Sequence, residues 1–187
     1  MNKSLLKKKL CEVDLEIMRT GDKRRNMIEK KQLEFLKCAI GEIIEDRKDC
    51  SVSYDSWNTK KWENSWFIDE NGRLMKNGQF IRNKLYDSKI FDAVLTLNFN
   101  DGRTVDFYFV LKGIHEDGGN QDTVGIEVGA YSNMMIRNKD VNSYFVFVLD
   151  GGRGERIIPC IKKSNKYIST TCRDFVNKFN DFLNFIK

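Results

Sequence analysis

Residues 90–112, IFDAVLTLNFNDGRTVDFYFVLK, constrain the fold more than any other stretch of the chain. Two runs rich in β-branched and aromatic residues flank Asn100-Asp101-Gly102, a combination that predicts a β-hairpin. Side chains alternate along a strand with a period of two, so the two faces fix the register. On the first run Phe91, Ala93, Leu95, Leu97 and Phe99 share one face, and Asp92, Val94, Thr96 and Asn98 the other. On the second, Val105, Phe107, Phe109 and Leu111 alternate with Thr104, Asp106, Tyr108, Val110 and Lys112. A two-residue connection sets apolar against polar, whereas a three-residue loop closed by a left-handed Gly102 sets apolar against apolar. The three-residue loop is therefore expected. It places Asp92 across from Val110, with Lys112 diagonal to Asp92 on the same face, roughly 7–8 Å away between Cα atoms. An aspartate and a lysine converge at the open end of the hairpin, which by itself describes an ordinary cross-strand ion pair.

The flanking segments read more coarsely. Residues 1–48 are expected to be helix in two pieces, broken near Thr20-Gly21-Asp22. Met27, Leu33, Leu36, Ile40, Ile43 and Ile44 recur there at helical spacing. Residues 49–89 are irregular and polar, hold Trp57, Trp62 and Trp66, and carry turn signals at Asn71-Gly72 and Asn77-Gly78 that could close small hairpins. After the hairpin comes a glycine-bearing turn, GIHEDGGNQD, and then a segment with two readings. As a helix, residues 121–139 stack Val124, Val128, Tyr131, Met134 and Met135 on one stripe, with Glu127 in it, where a carboxylate needs a partner. As a strand, Val124, Ile126, Val128 and Ala130 alternate, and Gly125 and Gly129 suit a strand better than a helix. The strand version leaves a short crossover between Ser132 and Ser143, so the helix is preferred. SYFVFVLDGG reads as a buried strand, RIIPCI and KYIS as two short strands. The chain closes in a helix from about Thr170, capped by Ser169 or Thr170, with Phe175, Phe179, Phe182 and Ile186 on its core face.

Composition excludes several classes. With 41% hydrophobic and 32% charged residues over 187, the chain can bury a core and is not disordered throughout. A chain of this length hides roughly 70% of its unfolded surface, which suits one domain spanning 1–187. No apolar run approaches the roughly 20 residues of a membrane span, and MNKSLLKKKL lacks an apolar core of signal-peptide length. A soluble, cytoplasmic protein without a membrane partner is expected. Five cysteines without a CxxC pair argue against a disulfide framework or zinc ribbon. A single histidine, His115, excludes HExxH metal sites and makes any serine- or cysteine-histidine chemistry depend on that one residue. Residues 1–48 hold 13 basic against 9 acidic side chains, while the whole chain holds 32 against 27, so most of the positive excess lies at the N-terminal end. That suits a polyanion, and it equally describes the solvated faces of charged helices.

The order helix, strand–turn–strand, helix, strand resembles the core of the PD-(D/E)XK nuclease superfamily, most closely over about residues 90–150, with the N-terminal helices in a place such folds often occupy. In that family one acid opens a strand, an acid–X–lysine triplet sits on the next, and the acids bind Mg²⁺. Asp92 takes the first place and Lys112 the lysine, but the triplet reads Val110-Leu111-Lys112 and lacks its acid. The pattern is similar to that of type II restriction endonucleases whose missing carboxylate comes from the following helix. Glu127 stands 15 positions after Lys112. The GGNQD turn at 118–122 and the later FVFVLDG strand also look like restriction-enzyme segments.

The resemblance implies an α/β fold, a mixed central β-sheet flanked by helices in an αβββαβ core, with N-terminal helices. It implies a Mg²⁺-dependent type II restriction endonuclease that hydrolyses double-stranded DNA at a short specific sequence. A homodimer and a cognate DNA methyltransferase in the same system follow from that class. Asp92 and Glu127 would hold the metal with the backbone carbonyl of Leu111, hard oxygen donors that suit Mg²⁺. Lys112 would orient the attacking water or offset developing charge. In the strand version Asp106 becomes the first acid and Glu127-Val128-Gly129 the triplet. Glu42, Glu45 and Gln121 are further candidates for the site. Lys60, Lys61, His115, Arg153 and Arg156 are candidate DNA contacts, with base readout expected from 49–89 and 151–167. A repair or junction-resolving nuclease of the same fold, and a non-catalytic DNA-binding protein or subunit, remain alternatives.

Overall fold

The alternation in the central stretch becomes a hairpin, and the rest of the fold is built on it. The computed structural model describes residues 3–18, 25–56, 65–76, 88–114 and 121–186. Its elements are α1 (Lys3–Met18), α2 (Arg25–Glu45), β1 (Cys50–Ser56), β2 (Trp66–Asp69), β3 (Leu74–Lys76), β4 (Ser88–Ile90), β5 (Ala93–Phe99) and β6 (Thr104–Gly113). They continue with α3 (Gln121–Arg137), β7 (Ser143–Asp150), α4 (Gly152–Ile157), β8 (Tyr167–Thr170) and α5 (Cys172–Phe185). β5 and β6 pair antiparallel, Ala93 opposite Phe109 and Asn98 opposite Thr104, and Gly102 at φ 88° closes the three-residue connection.

The main sheet has the order β1-β5-β6-β7-β8. β1 is antiparallel to β5, whereas β7 runs parallel to β6 and β8 parallel to β7. Parallel neighbours need a crossover, and α3 supplies it between β6 and β7. The run α2-β1-β5-β6-α3-β7 is thus an αβββαβ unit in a mixed α/β fold, with α1 preceding it. Among the described residues no helix is long and apolar enough to cross a membrane.

Both faces of the sheet are covered, which is why β7 reads as a continuous apolar run rather than an alternating one. One face sets Leu95, Leu97, Phe107, Phe109, Val146 and Val148 against Leu36 and Ile40 of α2 and Phe175 and Phe179 of α5. The Phe179 ring lies 5.1 Å from that of Phe107 and 5.0 Å from that of Phe175. The other face sets Val94, Tyr108, Val110, Phe145 and Phe147 against Val128, Met134 and Met135 of α3 and Ile68 of β2.

Residues 49–89 hold more regular structure than their polarity suggests. β1 joins the main sheet, and β3-β2-β4 form a small antiparallel sheet of their own. The Asn71-Gly72 turn closes β2 onto β3, with Asp69 Oδ1 accepting the backbone N–H groups of Asn71 and Arg73 at 2.9 and 2.8 Å. Gly72 has φ 80°, and a Cβ there would lie 2.6 Å from the carbonyl carbon of Arg137. Asn138 Nδ2 donates to the Gly72 carbonyl at 2.8 Å, so the turn is clamped to the end of α3.

RIIPCI is not a strand. It forms the end of α4 and a 3-10 helix over Ile158–Cys160, where Pro159 occupies an early position that needs no N–H donor. Ile157, Ile158 and Ile161 still face the core, packed with the α3 side of the sheet. The cap of α5 is Thr171, not Ser169 or Thr170; its side chain accepts from Asp174 N. The break at Thr20-Gly21-Asp22, Trp57, Trp62 and Asn77-Gly78 lie outside the described residues.

The strands of the hairpin differ in length. β6 pairs with β5 only as far as Phe109 but with β7 as far as Gly113. Among the described residues, 110–113 therefore have a strand partner on one side alone, and the chain entering β5 bends at Asp92, so Phe91 packs with Val94 and Tyr108 on the α3 side and not, as alternation predicts, with Ala93 and Leu95.

Candidate active site

Asp92 sits in the bend before β5, where its N–H donates to Phe109 O at 2.8 Å. Its Oδ2 accepts the N–H of Leu111 at 2.8 Å, so the side chain takes the place of the missing strand. In a β-strand the N–H and C=O of one residue point to the same edge, so the Leu111 carbonyl faces this notch as well.

One residue on, alternation turns the Lys112 side chain toward α3. Lys112 is only 8% exposed, and its Nζ lies 3.9 Å from Glu127 Oε2. A buried ammonium is costly unless it is paired, and Glu127 supplies a pairing charge. Glu127 occupies the second turn of α3 with its side chain 37% exposed. It lies at the margin of the apolar stripe rather than within it: Val128, Met134 and Met135 are buried, and Val124 and Tyr131 pack beside them. The helical step of 100° per residue explains this placement. Val110, in the position of the missing triplet acid, is wholly buried among apolar side chains.

Lys112 thus pairs with Glu127 on the α3 side, while the Asp92 carboxylate is held on the neighbouring backbone N–H of Leu111. Two carboxylates and a backbone carbonyl are the donor chemistry of a hard divalent cation, with water completing the shell. Among the described residues no group of three or more His, Cys, Asp or Glu side chains gathers as a metal cluster.

The other candidates fall elsewhere. Asp106 lies six residues back along β6, about 20 Å at the strand rise, where its Oδ1 accepts the Thr96 hydroxyl at 2.6 Å. Because 121–137 is helix, the strand version with Asp106 and Glu127-Val128-Gly129 does not assemble. Glu45 is exposed at the end of α2, and the Glu42 carboxylate is buried without a partner. That end of α2 leads into Cys50, opposite Phe99, at the end of the sheet remote from Lys112. Arg156 is exposed on α4, which follows β7 at the same sheet end as Lys112. Arg153 also lies on α4 and Gln121 opens α3, but both side chains, like Lys60, Lys61 and His115, lie outside the described residues.

Sequence reasoning passed over Gln32 and Asp150. Gln32 of α2 is wholly buried, and its Nε2 lies 2.7 Å from Asp150 Oδ2, 3.1 Å from Lys112 O and 3.4 Å from Val148 O. Asp150 Oδ1 accepts Cys172 N at 2.8 Å. Burial pushes the Asp150 carboxyl above its ordinary range, against the hydrogen bonds from Cys172 and Gln32. The available signal was a polar residue at a core position of a helix stripe, four residues after Ile28 and four before Leu36.

The chain matches no protein-family model, no curated protein and no solved structure.

Proposed function

We propose that this protein is a Mg²⁺-dependent endodeoxyribonuclease of the type II restriction class, acting on double-stranded DNA. The observation that supports the reading is the Lys112–Glu127 pair, Nζ to Oε2 3.9 Å, one residue along β6 from Leu111, whose N–H is held by Asp92 Oδ2. Asp92, Glu127 and the Leu111 carbonyl would hold the metal. When bound, Mg²⁺ supplies Lewis acidity toward the scissile phosphate and eases formation of hydroxide from water. Asp92 stays oriented by the Leu111 N–H. Lys112, its stem held in the core, presents its ammonium to the attacking water or to charge developing on the phosphate. Glu127 brings the second carboxylate from α3, since Val110 leaves the triplet position without one.

Cleavage of both strands at a symmetric site calls for two such centres, hence a homodimer. A host carrying such an activity needs its own sites protected, hence a cognate DNA methyltransferase. All five cysteines are unpaired, which suits a reducing cytoplasm. A non-catalytic DNA-binding protein is the second reading, and buried Val110 is the observation that favours it.

The test is incubation of purified protein with phage and plasmid DNA, in Mg²⁺ and in EDTA, for wild type and Glu127→Ala. Discrete Mg²⁺-dependent fragments that vanish in the variant are expected. Intact DNA with wild type overturns the reading in favour of the second. Cleavage that survives Glu127→Ala keeps the nuclease and removes Glu127 from its centre.

A further inference from the structure

We propose that Gln32 is a positioning residue for Lys112: it ties the end of β6 to α2, β7 and Asp150, so that the lysine amine is kept beside Glu127. The catalytic consequence rests on the nuclease reading; the positioning itself does not.

The Nε2 group has two hydrogens and three acceptors within 3.4 Å, namely Asp150 Oδ2, Lys112 O and Val148 O. Turning the amide over would set an oxygen against those same three acceptors, so the surroundings fix which end carries the nitrogen. The bond to Asp150 is the shortest, as suits a carboxylate acceptor. Asp150 is itself held by Cys172 N at the start of α5, so the node joins four elements. α2 also seats without a gap here: a Cβ on Gly113 would come 2.4 Å from Ile28 Cγ2.

The glutamine has a structural cost and a structural gain. Its Oε1 is buried with no hydrogen-bond partner among the described residues, but an apolar side chain of similar volume would leave Asp150 Oδ2 and the Lys112 carbonyl without this donor. What the glutamine adds is a grip on the backbone of Lys112. β5 gives no support beyond Phe109, so the end of β6 depends on Asp92 on one edge and on β7 and Gln32 on the other. A reacting group displaced by about 1 Å can lose about 100-fold in rate, so a fixed carbonyl at Lys112 matters more to chemistry than to folding.

Gln32→Leu and Gln32→Met are compared with wild type in single-turnover cleavage of plasmid DNA over a range of protein concentrations, with melting curves in parallel. The maximal rate, measured well below the melting temperature, is expected to fall about tenfold or more, while the half-saturating concentration stays within about twofold; the melting temperature falls as well, because buried Asp150 Oδ2 loses its donor. An unchanged maximal rate overturns the proposal, as does a loss of rate matched by a loss of affinity. A second readout needs no activity. Lysines are ¹³C-dimethylated, and the Lys112 signal, identified by its absence in Lys112→Arg, is followed by NMR with and without Glu127→Gln. That substitution should move the signal in wild type and move it less than about half as far in Gln32→Leu, because the pair has drifted apart. Equal responses overturn the positioning role. If wild type cuts no DNA, the nuclease reading fails, and the NMR comparison decides the positioning role alone.

Discussion

Lys112 and Glu127 face each other across the seam between β6 and α3, nitrogen to oxygen 3.9 Å apart. Neither could meet the other within a hairpin. The crossover that makes β7 parallel to β6 carries α3 back over the sheet, and with it Glu127 to the end of β6 where Lys112 stands.

Lys112→Met keeps the buried stem and removes the charge. Maximal cleavage is expected to fall by about 10²–10³, the scale of losing one stabilising group in a preorganised site, with DNA affinity little changed. Single-turnover rates and gel-shift titrations check it; a parallel fall in both would mean that Lys112 serves binding instead.

Asp92 has a structural duty at Leu111 N–H and, in the proposed nuclease, a chemical one, and two substitutions separate them. Asp92→Asn keeps an acceptor for Leu111 N–H and should remain folded with cleavage abolished. Asp92→Ala leaves that N–H unpaired and should lose a further 1–3 kcal/mol or so of stability in urea unfolding.

Two glycines should respond in opposite ways. Gly72→Ala forces a left-handed alanine against the backbone of Arg137 and is expected to cost about 2 kcal/mol or more. A Cβ at Gly129, in the middle of α3, meets nothing within 4 Å, so Gly129→Ala should stabilise by up to about 1 kcal/mol. Denaturant midpoints decide both.

Phe179 anchors the α5 side of the core, edge-on to Phe107 and stacked with Phe175. Phe179→Ala should cost about 3–5 kcal/mol in equilibrium unfolding. A cost below about 1 kcal/mol would contradict this packing.

The Ser143 hydroxyl donates to Asp140 Oδ2 at 2.6 Å and holds that carboxyl below its ordinary range, against partial burial. A carboxyl lowered in the folded state stabilises above its unfolded value, near about 3.9, and that gain is lost as pH falls through the folded value. Asp140→Asn should therefore lower the urea midpoint at neutral pH, with the deficit shrinking as the medium is acidified. A deficit that does not change with pH would assign the effect to geometry alone.

How much of this was legible follows from how local each signal is. The β5–β6 hairpin was legible from Ala93 to Phe109, because alternation and the Asn100-Asp101-Gly102 loop both act over a few residues, but not at Phe91, which the bend at Asp92 turns to the face of Val94 and Tyr108. α3 was legible from its stripe despite two glycines, since burial of Val128, Met134 and Met135 outweighs their propensity. The β2–β3 hairpin was legible only through its Asn71-Gly72 turn, and β4 not at all, since these strands have 4, 3 and 3 residues, too short to show a period. RIIPCI misled because a short apolar run signals burial without saying whether strand or helix does the burying. Among the candidate residues, register turned the Lys112 side chain toward α3, the bend that sets Asp92 on Leu111 N–H had no sequence signal, and Glu127 came from a family pattern. Gln32 was invisible because its partners Lys112 and Asp150 are 80 and 118 positions away.

The unequal lengths of β5 and β6 have a consequence for traffic at the sheet. An unpaired edge at the rim of a sheet recruits other strands and invites aggregation. Here the shortfall falls on an inner strand, and Asp92 Oδ2 takes the Leu111 N–H that a longer β5 would have paired. Lengthening β5 by two residues at its start would put backbone in place of that carboxylate and carry Asp92 away from β6, removing the proposed centre without altering Lys112 or Glu127.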